Sequence, residues 1–432
     1  MSVTAQSGRS TAMGMCIESA WRSAPVTLVS GPNYSVGIAS TNPHRFMLLD
    51  ASTGFPLKPV IDAAKKEIDG DFEVRRTILQ AKQYDGGFTW KVDPENSYYM
   101  LLGMLGKDVQ TQLAFVGSAA SNNVFKHVLQ PNSTRGYQPS FTIEEIFGDQ
   151  TIGRLTTGCV VQKLVFTFGP TVTCQASIYG YRQIPNSYPN SAGARTDYNY
   201  TNAYAVMPSQ IGGDGTKQLK ATLNTAATYV DVAEPTVGGS GTGNGPMTFA
   251  SAINGTLGGA YATNFLTVDG TGVAIEILPG STISMERVID RFQVAGSDFD
   301  MGATAAHEWD VTGKLDMLFI DNTIPLAVMR RSNLGLNFKL NGPQIGTTAY
   351  NYGVEFYVPR FNLLDGGVEI PSAAIMTGGN FQAKKDLSGI TAVSAVNTAV
   401  QVILTNTTDN TSLAGTAGTT GAAGGLGGWN AS

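Results

Sequence analysis

Apolar and polar residues alternate with a period of two along much of this chain. Leu334, Leu336, Phe338 and Leu340 alternate with Gly335, Asn337 and Lys339, and Val354, Phe356 and Val358 with Glu355 and Tyr357. Val400, Val402 and Leu404 alternate with Gln401, Ile403 and Thr405. The run Val160–Phe168 places Val160, Leu164, Phe166 and Phe168 on one face, with Lys163 and Thr167 on the other. Successive strand side chains point to opposite sides of a sheet, so each run predicts a half-buried β-strand. The helical period is rare. From Asn96, residues Tyr98, Leu101, Leu102 and Leu105 recur at i, i+3, i+4 and i+7 before Gly106, which predicts one short amphipathic helix. A second helix is expected over Pro59–Asp69, which opens on a proline suited to a first turn and continues with Ala, Lys and Glu. The fold class these periods predict is mainly β, with few and short helices.

A two-domain expectation rests on the order of elements. In the first half, Tyr84–Val92 leads through Asp93-Pro94-Glu95 to the Leu-rich helix. In the second, Val311–Ile320 leads through Asp321-Asn322 to Ile324–Arg330. Strand pairs follow in each: Val124–Leu129 with Ser140–Ile146, and Leu334–Leu340 with Gly353–Val358. Strands close both, Cys159–Phe168 and Val172–Tyr181 in one, Gly379–Lys384 and Ala399–Asn406 in the other. A diverged duplication is the preferred reading. The expected boundaries are 1–183, an Asn/Ser/Gly-rich insertion or linker at 184–245, 246–413, and a Gly/Ala/Thr-rich tail at 414–432, where Trp429 stands alone.

Composition narrows the function. Charged residues are 14% of 432, against about 25% in ordinary domains, while glycine reaches 51 positions. Twenty-eight cations against 33 anions give a net charge of −5, and a nucleic-acid binder needs clustered cations to displace counterions. The surface is therefore Ser, Thr, Asn, Gln and Gly, as in a turn-rich β protein or one covered by copies of itself. The polar N-terminus lacks the build of a signal peptide, and no stretch approaches the roughly 18 apolar residues of a membrane span. Synthesis in a cytoplasm and no membrane partner are the expectations.

Catalytic groups do not converge in the sequence. His44, His127 and His307 are isolated, and no nucleophile elbow or phosphate loop occurs. Asp69/Asp71, Glu144/Glu145 and Asp298/Asp300 are the candidate carboxylate pairs, and the last sits in a Gly-flanked segment that suits a solvated turn, with a loop cation the alternative. Glu144 and Glu145 are neighbours on a presumed strand, so they point to opposite faces. Cys159 and Cys174 are expected as buried free thiols, with a cross-strand disulfide the alternative; Cys16 makes the count odd. No enzyme, cofactor or metal is expected.

The stretch Val124–Tyr181 reads VFKHVLQP, QPSFTIEEIFGD, GCVVQKLVFTFG and ASIYGY. That order resembles the tail tube proteins of phages with long, non-contractile tails. DGGFTWKVDPENSYYMLLGMLG upstream, and GVEFYVPRFNLLDGG, Phe381-Gln382-Ala383 and AVQVILTNT downstream, extend the likeness over most of 45–183 and 280–408. The resemblance implies two similar sandwich- or barrel-like β-domains, each with a short flanking helix. It also implies a structural virion protein made in the host cytoplasm, whose rings stack into a tube that conducts double-stranded DNA without binding it specifically. Rings of three two-domain copies with pseudo-sixfold symmetry are favoured over six copies. Tape measure protein and other tail proteins are the implied partners. A low-cation, slightly acidic chain suits such a conduit. The charged segment 67–76, with Glu67, Asp69, Asp71, Glu73, Arg75 and Arg76, is the expected contact to an adjacent ring. Alternatives are a tail terminator or baseplate hub, or an extracellular carbohydrate-active or adhesive β protein.

Overall fold

The structure is a computed structural model. It describes residues 12–18, 26–29, 35–38, 45–47, 51–54, 57–63, 77–92, 94, 96–114, 124–132, 139–147, 152–169, 172–185, 248–249, 265–268, 271–274, 278–291, 304–319, 322–345, 348–369, 375–385 and 398–406. The expected linker at 184–245, the tail at 414–432 and the glycine-rich stretch 238–246 lie outside these residues almost entirely.

Antiparallel strands dominate. The first half holds β1 (Ala12–Ile17), β2 (Val26–Val29), β3 (Ser35–Ile38), β4 (Arg45–Met47), β5 (Ala51–Gly54), β6 (Leu57–Ala63), β7 (Thr77–Lys91), α1 (Asn96–Leu105), β8 (Gly106–Ala114), β9 (Val124–Pro131), β10 (Phe141–Phe147), β11 (Ile152–Thr167), β12 (Thr173–Gly180) and β13 (Arg182–Pro185). The second holds β14 (Thr248–Phe249), β15 (Phe265–Val268), β16 (Thr271–Ala274), β17 (Thr282–Arg291), β18 (Thr304–Leu318), α2 (Thr323–Arg330), β19 (Leu334–Gln344), β20 (Asn351–Leu363), β21 (Gly367–Glu369), β22 (Met376–Ala383) and β23 (Gln401–Asn406).

The expected helix over 59–69 is corrected in its first part. Pro59–Ala63 belong to strand β6, which pairs with β7 from Leu57↔Tyr84 to Ala63↔Thr77. The β-branched Val60 and Ile61 suit that strand, and the helix-forming Ala64, Lys65, Lys66 and Glu67 of the expected segment come after Ala63. The helix expected from Asn96 is present as α1. Gly106 stops it with φ 78°, a left-handed conformation that only glycine adopts without strain.

One ladder runs through both halves in the order β6-β7-β12-β11-β17-β18-β22-β21, every pair antiparallel. A second layer orders β8-β9-β23-β20-β19. The layers face each other across Phe166 of β11 and Phe356 of β20, whose rings meet edge-on at 4.7 Å, and Phe168 adds a second edge contact at 5.9 Å. Alternation supplies the inward faces: Cys174, Ala176 and Ile178 on β12, Ile283 and Met285 on β17, Val402 and Leu404 on β23. One continuous core thus contains side chains of both halves.

The expected face of Val160 needs a correction. A bulge between Val161 and Lys163 shifts the register against β12, so the side chains facing the main core change parity, from Cys159 and Val161 before it to Leu164 and Phe166 after it. Val161 joins the main core, whereas Val160 packs in a separate cluster with Ile289, beside Tyr179 and Tyr181. The strand pairs expected after the helices also differ. Val124–Leu129 pairs with β8, not with Ser140–Ile146, so the hairpin following α1 is β8–β9, as β19–β20 follows α2.

Candidate functional site

Two long strands set the frame. β7 and β18 each have 15 residues, and each is followed after four residues by a helix. The partner strand starts in the same register both times: Thr173, first in β12, lies opposite Lys91, last in β7, and Met376, first in β22, lies opposite Leu318, last in β18. Hairpins β6–β7 and β17–β18, and β11–β12 and β21–β22, hold corresponding places in the ladder. The halves join where β11 meets β17, with Lys163 Nζ 2.7 Å from Glu286 Oε2. Among the described residues no strand pairs with the outer edge of β6, nor with that of β21. Such edges carry unpaired backbone N–H and C=O groups that another chain can join.

Helix α1 is locked between the layers. Trp90 Nε1 donates to Ser97 Oγ at 3.1 Å, and Asn406 Nδ2 of the last strand donates to the Pro94 carbonyl at 3.0 Å. Tyr98 Oη donates to Asp108 Oδ2 at 2.8 Å, and His127 Nδ1 meets the same oxygen at 2.8 Å. His127 was isolated in the sequence; folding brings it to a carboxylate and a phenol. The three side chains are buried, at most 6% exposed, so the cluster ties α1 to the β8–β9 hairpin and presents nothing to a dissolved substrate.

A second buried carboxylate, Glu18, accepts bonds from Ser140 Oγ at 2.5 Å, Thr142 Oγ1 at 2.8 Å and the Gly158 amide at 2.8 Å. These donors satisfy a charge that burial would otherwise penalise by several kcal/mol. Cys159 lies beside it, and burial first, then the Glu18 and Glu145 carboxylates, push its thiol well above the usual range. Burial does the same to Cys174. Both are free thiols, as expected.

Of the other sequence-predicted groups, Glu145 is buried on β10. Glu67, Asp69, Asp71, Glu73, Arg75 and Arg76 lie outside the described residues, as do His44, Asp298 and Asp300. Among the described residues, no group of three His, Cys, Asp or Glu side chains could hold a metal ion, and no helix is long and apolar enough to cross a membrane.

The arrangement offers sheet edges and buried structural latches. Comparison with known protein families decides the matter: the family model described as phage tail tube protein matches residues 8–380. The chain belongs to the phage tail tube protein family. No curated protein matches it. Membership makes it a structural component of the virion tail, in a family whose members assemble with themselves into a tube. The phage tail tube match spans both helices, the β11–β17 junction and the open edge strands β6 and β21.

Proposed function

We propose that this chain is the repeating subunit of a stacked-ring tail tube through which double-stranded DNA leaves the phage, and that it performs no catalysis. The observation that carries the proposal is the ladder order. β6-β7-β12-β11 is followed by β17-β18-β22-β21, and the junction between them is an antiparallel strand pair. β6 stands where β17 stands, and β21 where β11 stands. The same junction, repeated between the β21 edge of one copy and the β6 edge of the next, continues the ladder around a ring.

On this reading the halves are two copies of one tail-tube unit, and three chains make six units around the axis. Residues 184–245 insert between them. A net charge of −5 and few cations leave the channel wall little affinity for phosphate, so the genome slides. Tape measure protein and other tail proteins are the further partners, with assembly in the host cytoplasm.

Purified protein at high concentration, viewed by negative-stain microscopy, should show rings or hollow tubes. Protein that stays monomeric under all conditions contradicts the proposal. Copy number in the virion separates a tube subunit, which should rival the capsid protein in abundance, from a terminator or hub.

A further inference from the structure

The two helices hold matching places yet differ in cover. Every residue of α1 from Ser97 to Leu105 is buried. Phe141 of β10 and Val161 of β11 close over it at Gly103, where an added Cβ would strike the Phe141 ring. α2 buries only Ile324 and Ala327; Leu326 is 40% exposed and Met329 80%. The turn between β20 and β21 stands against this helix, since an added Cβ at Gly366 would lie 2.8 Å from Val328 Cγ2. Leu364 and Val368, two residues to either side of Gly366, are 64% and 42% exposed and widen the apolar patch.

Its rim is cationic. Arg330 closes the last turn of α2, and Arg331 caps it in the left-handed conformation, φ 54°, both exposed. Asp365 is an acidic group at this corner, and its carboxylate is engaged by the Asn380 backbone N–H at 2.5 Å and the Asn380 side-chain amide at 2.7 Å. Those bonds hold its carboxyl below the usual range.

We propose that this patch is a docking surface for a second copy of the chain, whose acidic segment 67–73 covers it. The proposal rests on the tube-subunit reading above. Two observations select this occupant. The segment reads EIDGDFE, so Ile68 and Phe72 stand among Glu67, Asp69, Asp71 and Glu73, complementary to Leu326 and Met329 beside Arg330 and Arg331. The topology also puts Ala63 and Thr77, the paired strand ends that flank this segment, at the opposite end of the ladder from α2. β7 and β18 run parallel, because an even number of antiparallel steps separates them. The 64–76 connection precedes β7, whereas α2 follows β18. Two subunits stacked head to tail therefore bring the 67–73 segment of one toward α2 of the other, which makes the contact one between rings.

The test starts from wild-type tubes, sedimented and counted by microscopy. Leu326→Lys with Met329→Lys should lower the tube yield at least tenfold while the melting temperature stays within a few degrees. Arg330→Glu with Arg331→Glu should also block stacking, and adding Asp69→Lys with Asp71→Lys should restore it. Met329→Cys with Phe72→Cys should give disulfide-linked chains in tubes and none in dilute monomer. Lysine variants that form tubes as well as wild type overturn the inference, as does a charge swap that fails to restore stacking or a cysteine pair that stays unlinked in tubes. Wild-type protein that never forms tubes overturns the tube-subunit reading itself.

Discussion

Lys163 and Glu286 face each other directly across the β11–β17 pair, their charged atoms 2.7 Å apart, at the place where the two halves of the chain become one sheet. Both side chains are 38% exposed, so solvent screens the attraction and the pair contributes less than about 1 kcal/mol. Backbone pairing and the core beneath it hold the junction. Charge reversal at Lys163 or Glu286 alone should lower stability by under about 1 kcal/mol, and the double reversal should restore it. A double-mutant cycle by urea denaturation checks this.

The contact that joins the two layers should cost far more to lose. Phe356 is fully buried and meets both Phe166 and Phe168. Phe356→Ala should destabilise by about 3–5 kcal/mol, by transfer and cavity together. Chemical denaturation gives the value, and a change well under 2 kcal/mol would mean that the layers are not packed there.

Gly103 leaves no room for a side chain between α1 and the Phe141 ring. Gly103→Ala gains helix propensity of roughly 1 kcal/mol but forces Phe141 and Val161 apart, so a net loss of about 1–3 kcal/mol is expected. Restoration by Phe141→Leu in the same chain would locate the clash.

The latch on α1 predicts a graded series. Tyr98→Phe removes one hydrogen bond and should cost about 1 kcal/mol. Asp108→Ala leaves both Tyr98 and His127 buried without their shared acceptor and should cost more, about 2–4 kcal/mol. Thermal melts of the two variants should rank in that order.

The thiols give a pH dependence with a definite sign. Cys159 and Cys174 have values raised above 9.0 by burial, so each binds its proton more firmly in the folded chain than in the unfolded one. Their contribution is complete below pH 9.0 and drains away as pH rises from there through the folded-state value, at up to about 1.4 kcal/mol per pH unit for each thiol. Cys159→Ala with Cys174→Ala should flatten the fall in stability above pH 9.0, and neither native thiol should react with a thiol reagent at pH 8.

Much of the fold was legible in the residues. Period-two runs found β20 and β23, and Tyr98, Leu101, Leu102 and Leu105 found α1, because one buried face imposes the period directly. The 59–63 stretch was misread because Ala64, Lys65, Lys66 and Glu67, which follow it, carry the helix signal, while its own Val60 and Ile61 are β-branched and suit the strand held by β7. Val160 was misassigned because a bulge inverts alternation without leaving a mark in composition. β8 escaped notice, as its Lys107, Gln110 and Gln112 give weak contrast with their neighbours. The Tyr98–Asp108–His127 cluster draws on residues 10 and 19 positions apart, and only the packing of α1 against β8–β9 brings them together. Nothing in Met329 or Leu326 announced an exposed helix face. That follows only from comparing α2 with the covered α1.

Electron cryomicroscopy of one assembled ring examines the whole scheme at its narrowest point. Three chains should surround an open channel, with β6 of each hydrogen-bonded antiparallel to β21 of its neighbour in the manner of β17 against β11. A ring in which those two edges stay apart, or chains that close on themselves without a channel, would contradict it.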